Sequence, residues 1–392
     1  LLGRKLRSSQ LGETLLPKRI ALPVFASDAL SSVAYAPDEV FIMLSLAGAS
    51  AYAFSWKIGI VVAIVMLTVV ASYRQNVHAY PSGGGDYEVA TVNIGPRAGL
   101  TVASALLVDY VLTVAVSISS GVQNAASAIP ILSGHEALAA VVLVVILAAM
   151  NLRGVRESGS MFAVPTYGFM LGILGMAAFG AFKLATGTLG QVESAHLLIE
   201  PAKNYSGEVS MGAMIFLLAR AFSSGCAALT GVEAISNGVP AFRKPKSKNA
   251  ATTLLLLGMI AITMLMSIIL LANKMGLKYV DPHEIERLRN PDGTAFTVDQ
   301  HTVMAQLAKA VFSDFPPGFY FVVAMTGIIL VLAANTAFNG FPVLGSILAQ
   351  DGYMPRALGS RGDRLAYSNG IVMLAFFAIV LIVAFNAEVT RL

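Results

Sequence analysis

Nine stretches of the chain are apolar over roughly the length that a helix needs to cross a lipid bilayer, about 20 residues. They cover residues 20–47, 56–79, 97–123, 136–151, 160–185, 211–240, 249–273, 318–348 and 369–387. The composition agrees, because only 12% of the residues are charged, against about 25% in a soluble domain. The sequence therefore predicts an all-α polytopic membrane protein. Residues 302–313 are too short to span and predict a lateral or re-entrant helix.

Basic residues predict the orientation of these spans. Cytoplasmic loops are enriched in Lys and Arg, and a cytoplasmic N-terminal segment, residues 1–19, places most of the basic residues inside. We therefore expect a multi-pass protein of the cell membrane whose polar stretches 186–210 and 276–300 form small outer caps. The expected cytoplasmic residues are Arg4, Lys5, Arg7, Lys18, Arg19, Arg74, Arg97, Arg153, Arg156, Arg243, Lys244, Lys246, Lys248, Arg356, Arg361 and Arg364.

Two spans that lie five apart are interrupted by polar and small residues. The first contains "SDALSSVAYAPDE" and the sixth contains "RAFSSGCAALTGVEAISNGVPAF". We expect helix breaks near residues 29–34 and 228–233. Matched breaks at this separation are typical of a LeuT-like inverted repeat, whose transporters bind substrate at the broken helices. The repeats would be 20–185 and 211–392, the second incomplete. Close packing of small residues is the simpler explanation, but it leaves the carboxylates unexplained.

The first break brings several oxygen-bearing side chains to membrane depth. Asp28, Ser32 and Tyr35 share one face if the segment stays helical, and an opening near residues 31–33 would add free carbonyls. An acid at this depth usually faces a cavity and marks a pathway.

The second half of the first span begins with a proline and two acids. Pro37 fits the first turn of the second half-helix. Asp38 and Glu39 are explained more simply by the dipole of that helix than by ligation.

The third span carries "LLVDYVLTVAV", in which Asp109 and Thr113 lie four apart on one face. No basic residue occurs between Arg97 and Arg153, so a local ion pair is excluded. A protonated Asp109 that hydrogen-bonds to a neighbouring helix remains the alternative.

In the sixth span, Thr230 and Glu233 flank Gly231, where we expect the helix to open. A salt bridge between Glu233 and Arg220 is the structural alternative, but a helix would separate these residues by about 15 Å.

Carboxylate, hydroxyl and carbonyl oxygens replace the hydration shell of a hard cation. The residues predicted to line one midplane cation site are Asp28, Tyr35, Asp109, Thr113 and Thr230. Clustered acids in a low dielectric do not all ionise, so at least one should carry a proton. Glu233 is our candidate for that proton carrier, with Asp109 as its rival.

Other functional classes find little support in the sequence. The stretch "PSGGGDYEVA" (81–90) lacks the G-K-[ST] ending of a phosphate loop and is interpreted as a cytoplasmic hinge. A membrane enzyme is disfavoured, because the chain offers no nucleophile–His pair and no His-rich metal site. We expect no cofactor apart from the transported ions. Cys226 is the single cysteine, so an internal disulfide is excluded.

Three motifs, "PSGGGDY", "NLRGVRESG" (151–159) and "GVEAISNGVPAFRKPKSKNA" (231–250), resemble the amino acid–polyamine–organocation superfamily. Amino acid permeases of that superfamily have a Gly-rich break in the first span, where this chain has "SDALSSVAY". The combination with "VDYVLT" and "ALTGVEAISNGVP" is similar to KimA-type importers of the potassium uptake permease group. That resemblance implies proton-coupled potassium symport, with the six residues predicted above as its ion site.

The resemblance also implies twelve spans, a cytoplasmic C-terminal domain and a homodimer. The chain ends after about nine spans, so further C-terminal parts are expected to be missing. An amino acid or polyamine permease of the same fold is the alternative function, since an organic cation would also favour three acids. Cavity size separates these functions, because potassium needs a tighter oxygen cage than an organic amine.

Overall fold

The computed structural model describes residues 15–81, 85–153, 159–207, 209–296, 298, 300–360 and 367–392. Several sequence features lie outside these ranges. They are residues 1–14 of the predicted N-terminal segment, residues 82–84 of the stretch 81–90, residues 154–158 of the stretch 151–159, and Arg4, Lys5, Arg7, Arg156, Arg361 and Arg364.

The described chain is mostly helical. Its α-helices are α1 (Lys18–Ser31), α2 (Ala36–Ser45), α3 (Ser55–Ala79), α4 (Gly85–Asn93), α5 (Pro96–Ala126), α6 (Glu136–Leu152), α7 (Gly159–Ala185), α8 (Met211–Gly225), α9 (Glu233–Asn237), α10 (Lys246–Lys274), α11 (Val303–Val311), α12 (Pro316–Gln350) and α13 (Ser368–Ala384). Two short strands, β1 (Leu198–Ile199) and β2 (Leu288–Arg289), pair antiparallel with Leu198 opposite Arg289.

Each predicted span corresponds to one of these helices or, for the first and sixth spans, to a pair of them, α1 with α2 and α8 with α9. Within the described ranges, seven helical segments are long and apolar enough to cross a membrane. The stretches 136–151 and 369–387 correspond to α6 and α13, which are apolar but shorter. The protein is thus a polytopic membrane protein, although helix length alone does not confirm nine spans. Helix α11 lies within the stretch 302–313, and most of its residues are buried.

The first span is interrupted by a 3₁₀ turn at Ser32–Ala34, between α1 and α2. The hydroxyl of Ser31 donates to the Asp28 carbonyl at 2.7 Å, and that of Ser32 donates to the Ala29 carbonyl at 2.8 Å. Such bonds to the preceding turn bend helices. The structure thus has a tightened turn capped by serine hydroxyls where the sequence suggested free carbonyls. Pro37 lies in the first turn of α2, as predicted.

The sixth span opens more completely, between α8 and α9. A 3₁₀ turn at Cys226–Leu229 leads into Thr230, which is extended with φ −62° and ψ 150°. Gly231 follows with φ +81°, a backbone conformation that costs other residues free energy. The break therefore falls inside the predicted stretch 228–233.

Spans that are five apart in sequence pack against each other. The second packs on the seventh through α3 and α10, the third on the eighth through α5 and α12, and the fourth on the ninth through α6 and α13. The first and sixth meet through α2 with α8 and α1 with α9. The contact of α5 with α12 is the most extensive in the described chain.

Buried apolar side chains form two main clusters. The larger joins α1, α2, α3, α10 and α11, with contributions from α7, α8, α9 and α12. The other joins α5, α6, α12 and α13. The bundle therefore consists of two packed groups of helices, and α12 contributes to both.

The stretches 186–210 and 276–300 are predicted to form small outer caps. In the structure they join into one cap, because β1 from the first pairs with β2 from the second. Arg287 links this cap to the first span by hydrogen bonds. Its Nε donates to the Glu200 carbonyl at 3.0 Å and its Nη2 donates to the Ser45 carbonyl at 2.5 Å.

A second polar cluster ties the cap to α11. Glu193 contacts His301 Nδ1, and its other carboxylate oxygen accepts from Lys309 Nζ at 2.9 Å. Burial alone would raise the pKa of Glu193, but the hydrogen bonds from His301 and Lys309 outweigh this and lower it to about 2 from the usual 4.5. A carboxyl with a lowered pKa stabilises the fold above its unfolded pKa, and this contribution is lost as the pH falls through its folded pKa.

Glu193→Gln should therefore remove an acid-sensitive contact. In the parent, we expect amide protection of residues 190–200 and 300–310 to fall as the pH decreases from about 4.5 to about 2. The variant should show weaker protection at neutral pH and no such pH dependence. Hydrogen exchange, corrected for intrinsic rates, measures both. Glu286→Gln is the control, since Glu286 is exposed and forms no ion pair within the described residues. Equal acid sensitivity in the Glu193 variant would contradict this assignment.

Candidate functional site

The break in the sixth span contacts the first span at Gly231. A β-carbon added to Gly231 would lie 2.6 Å from the Ala29 backbone nitrogen and 2.8 Å from the carboxyl carbon of Asp28. The backbone of the sixth span is therefore packed directly on the acid of the first. A residue with any side chain would separate them, so glycine is required here for space as well as for its positive φ.

Asp28 is buried, with a side-chain environment built from three spans. Thr336 of α12 adjoins its carboxyl group, although the Thr336 hydroxyl donates to the Ala333 carbonyl at 2.6 Å, and Asp109 of α5 is the acid whose charge acts on it most strongly. The site therefore lies where the first span meets α5 and α12, between the two apolar clusters.

Tyr35 connects the two breaks from the other side. Its side chain adjoins that of Thr230, and the charges of Asp28 and Asp109 both act on it. The Thr230 hydroxyl itself donates to the Ala227 carbonyl at 3.0 Å. Four of the predicted site residues are thus neighbours.

Glu233 begins α9 immediately after the second break. The charged groups that act on it most strongly are Asp28, Asp109 and Asp86. Within the described residues, Glu233 forms no ion pair with Arg220 or with any other basic residue. The salt-bridge explanation for Glu233 is therefore not supported.

The site differs in two ways from a closed shell of oxygens around one ion. Thr113 is half-buried on α5, and the described residues offer its hydroxyl no hydrogen bond. No group of three or more His, Cys, Asp or Glu side chains close enough to hold a metal ion occurs among the described residues. The charges of the three carboxyls act on each other, but the carboxyls do not surround one common position. Neutral oxygens would therefore have to complete the coordination shell of any cation.

Sequence reasoning missed Thr336, whose side chain adjoins Asp28. The signal was present, because "AANTAF" (333–338) places two polar residues inside the apolar eighth span. Asp86 was also missed as a neighbour of Glu233. Burial raises its pKa, partly offset by the hydrogen bond that Tyr73 donates at 2.9 Å. Asp86 belongs to "PSGGGDYEVA", whose second half forms α4.

Asp38 has a partner that the sequence did not suggest. It lies in the first turn of α2, as expected, but its Oδ2 accepts a hydrogen bond from the Val303 amide at 3.3 Å. Asp38 thus also caps α11, which favours a carboxylate at its N-terminal end.

Comparison with known proteins identifies the family. A family model described as amino acid permease matches residues 24–392. The chain belongs to the amino acid permease family. It is also 43% identical over its whole length to a protein of Bacillus subtilis (strain 168) named potassium transporter KimA. The aligned part is 60% of that relative, so the chain spans less than two thirds of the relative's length. The KimA-type resemblance inferred from the motifs is thereby confirmed.

In this member of the amino acid permease family, the Asp28 carboxyl contacts Gly231. We therefore expect a substitution of Gly231 to destabilise the protein. Gly231→Ala should lower stability by roughly 1–3 kcal/mol, because it combines a strained backbone with a steric clash. Thermal unfolding of the purified full-length protein measures this effect. Gly212→Ala is the control, since Gly212 lies in α8 with no atom within 4 Å of an added β-carbon. Equal melting temperatures for the two variants would contradict the proposed contact.

Proposed function

We propose that the chain is the membrane-spanning part of a secondary importer that moves potassium together with protons by alternating access. The observation that carries this proposal is the set of three neighbouring carboxyls, Asp28, Asp109 and Glu233, which form no ion pair within the described residues. Asp28 is buried and Asp109 and Glu233 are half-buried, so their charges need compensation, and a transported cation would supply it. The identity to potassium transporter KimA supports potassium as that cation, and the same likeness supports a transporter rather than an enzyme.

The proposed fold is a LeuT-like inverted repeat of residues 20–185 and 211–392, the second incomplete. The packing of each of the first four spans on the one five positions later supports it. A pseudo-two-fold axis in the membrane plane pairs equivalent spans in this way. The breaks in the first and sixth spans would be equivalent elements, and α5 and α12 another such pair.

In the proposed cation site, oxygens of Asp28, Tyr35, Asp109, Thr113 and Thr230 hold potassium. Three of these residues belong to the first and sixth spans and two to α5. Thr336 is a further candidate, because it adjoins Asp28. An amino acid substrate is less favoured, since its carboxylate would meet the Asp28 carboxyl. The remaining alternative is a polyamine, which direct competition would detect.

The proposed setting is the cell membrane, with a cytoplasmic N-terminus and with the cap outside. The distribution of basic residues supports this orientation. Assembly of the full-length protein as a homodimer rests on the family resemblance.

Asp28→Asn should reduce potassium uptake by about tenfold or more, the effect of removing roughly 1.4 kcal/mol or more of ion binding. Uptake should be measured with the full-length protein in a host that lacks its own potassium importers. Asp292→Asn removes an exposed cap carboxylate and should leave uptake unchanged. Near-normal uptake by the Asp28 variant would place the site elsewhere. Accumulation of labelled amino acids or polyamines without potassium would overturn the substrate assignment.

Proton coupling is the second part of the proposal, with Glu233 as the carrier. Potassium entering with one proton moves two charges inward, for which the membrane potential contributes roughly 4.6 kcal/mol at 100 mV. Neighbouring carboxyls hold a proton more readily than isolated ones, and an arriving cation favours its release. Because Glu233 lies at the break and near Asp28, cation binding and proton release would be linked there.

Glu233→Gln should make potassium uptake into proteoliposomes insensitive to a pH gradient, while some potassium binding survives. Asp109→Asn is the comparison, because Asp109 is the rival carrier. A Glu233→Gln variant that responds to the gradient like the parent would exclude Glu233. Loss of the response only in the Asp109 variant would transfer the role to Asp109.

A further inference from the structure

A cavity with polar groups in its wall lies between the first break and the cap, and we call it the cap cavity. It has a volume of about 60 Å³. Of the predicted site residues, only Tyr35 lines it. Its wall combines residues of α2, α5 and α12 with the cap and with residues 388–390. A buried water needs about 10–15 Å³ of such volume, so the cavity suits one partly hydrated ion better than an organic substrate.

Four buried oxygens in its lining residues lack hydrogen-bond partners among the described residues. One of them, Oε2 of Glu388, lies in ion pairs with His283 and Arg391. The other three are Oδ1 of Asp38, Oγ of Ser120 and Oδ1 of Asn124. The exposed fractions of these residues are 8%, 6% and 2%. A buried polar group without a partner costs about 1–3 kcal/mol, so three around one cavity indicate a missing ligand.

The hydrogen bonds that these side chains do form decide what this ligand is. The Nδ2 of Asn124 donates to the Val323 carbonyl at 2.8 Å, which leaves Oδ1 as a pure acceptor. The Oδ2 of Asp38 accepts from the Val303 amide at 3.3 Å, and Oδ1 has no partner although the Tyr279 side chain adjoins the same carboxyl group. The Thr326 hydroxyl donates to the Val322 carbonyl at 2.7 Å, so its lone pairs remain.

The charges around the cavity are negative and are only partly neutralised. Glu388 is paired with His283 and with Arg391. Asp281 accepts a hydrogen bond from the His283 amide at 3.0 Å. Asp38 and Glu39 form no ion pair within the described residues.

We propose that the cap cavity is a separate binding site for a monovalent cation, held by Asp38 Oδ1, Asn124 Oδ1 and Ser120 Oγ. Hard cations bind carboxylate, amide and hydroxyl oxygens, and the acids Asp38 and Glu39 in the wall, which form no ion pair within the described residues, favour a positive ion. The choice of potassium rests on the proposed function, whereas the partnerless oxygens do not depend on it. Tyr35 lines the cap cavity and also adjoins Thr230, so an ion here would lie one side chain away from the midplane site.

Equilibrium binding of radioactive rubidium to the purified full-length protein tests this site. At saturation, we expect Asp38→Asn and Asn124→Leu each to bind one ion fewer per chain than the parent. Ser119→Ala is the matched control. Ser119 is buried and its hydroxyl also lacks a partner among the described residues, but it does not line the cavity. It should bind as the parent does.

Asp38→Asn also changes the N-terminal cap of α11, so gel filtration is needed to show that the variant is folded. Asn124→Leu is the second test, because it leaves that cap intact. Parent-like stoichiometry and affinity in both cap variants would overturn the proposal and indicate that ordered water fills the cavity. Loss of all rubidium binding in a folded cap variant would overturn it too, because the residues would then belong to the midplane site. Asp28→Asn separates the two proposals. If it binds like the parent while the cap variants lose one ion, the midplane site fails and the cap site stands.

Discussion

The close contact between Gly231 and Asp28 is the interaction on which the arrangement of the site depends. In a bilayer, irregular backbone is tolerated only where it is buried in protein or lines a cavity. Here the opened backbone of the sixth span is covered by the first span at 2.6 Å from the position of an absent β-carbon. The same approach brings Glu233 and Thr230 beside the acid of the first span. Gly231 thus allows the opened backbone to be covered by the first span, and it also brings the polar side chains of the two spans together.

Much of this arrangement was predictable, because hydropathy and helix-breaking residues act locally. The span bounds follow from apolar length, Pro37 marks the start of α2, and the break in the sixth span follows from Gly231 beside Thr230. The breaks differ in kind for a local reason as well. Ser31 and Ser32 each bond to the preceding turn and bend it, whereas Gly231 permits a left-handed backbone.

Contacts between distant segments could not be predicted in the same way. Thr336 approaches Asp28, Asp38 caps α11, and β1 pairs with β2, although each pair is far apart in sequence. Without the inverted repeat, nothing in the sequence indicates which span faces Asp28. With it, the eighth span becomes the equivalent of the third, which carries Asp109, and Thr336 becomes a candidate. The inverted repeat does not predict the cap cavity in this way, because the oxygens of the cavity come from α2 and α5 and the cap covers it.

The division into two apolar clusters gives the proposed mechanism a physical basis. Asp28 and Glu233 lie on the first and sixth spans, whose apolar residues belong to the larger cluster, whereas Asp109 lies on α5 of the other. Carboxylates on opposite sides of this boundary repel each other when ionised, and a cation between them would reverse the sign of that interaction. A ligand shifts a conformational equilibrium only by its difference in affinity for the two states. A cation site shared between two helix groups provides such a difference, because moving one group against the other changes the number of oxygens that reach the ion. A proton on Glu233 would remove one of the repelling charges and would therefore shift the same conformational equilibrium between the two helix groups. In this way a proton and a cation can be coupled through one contact surface.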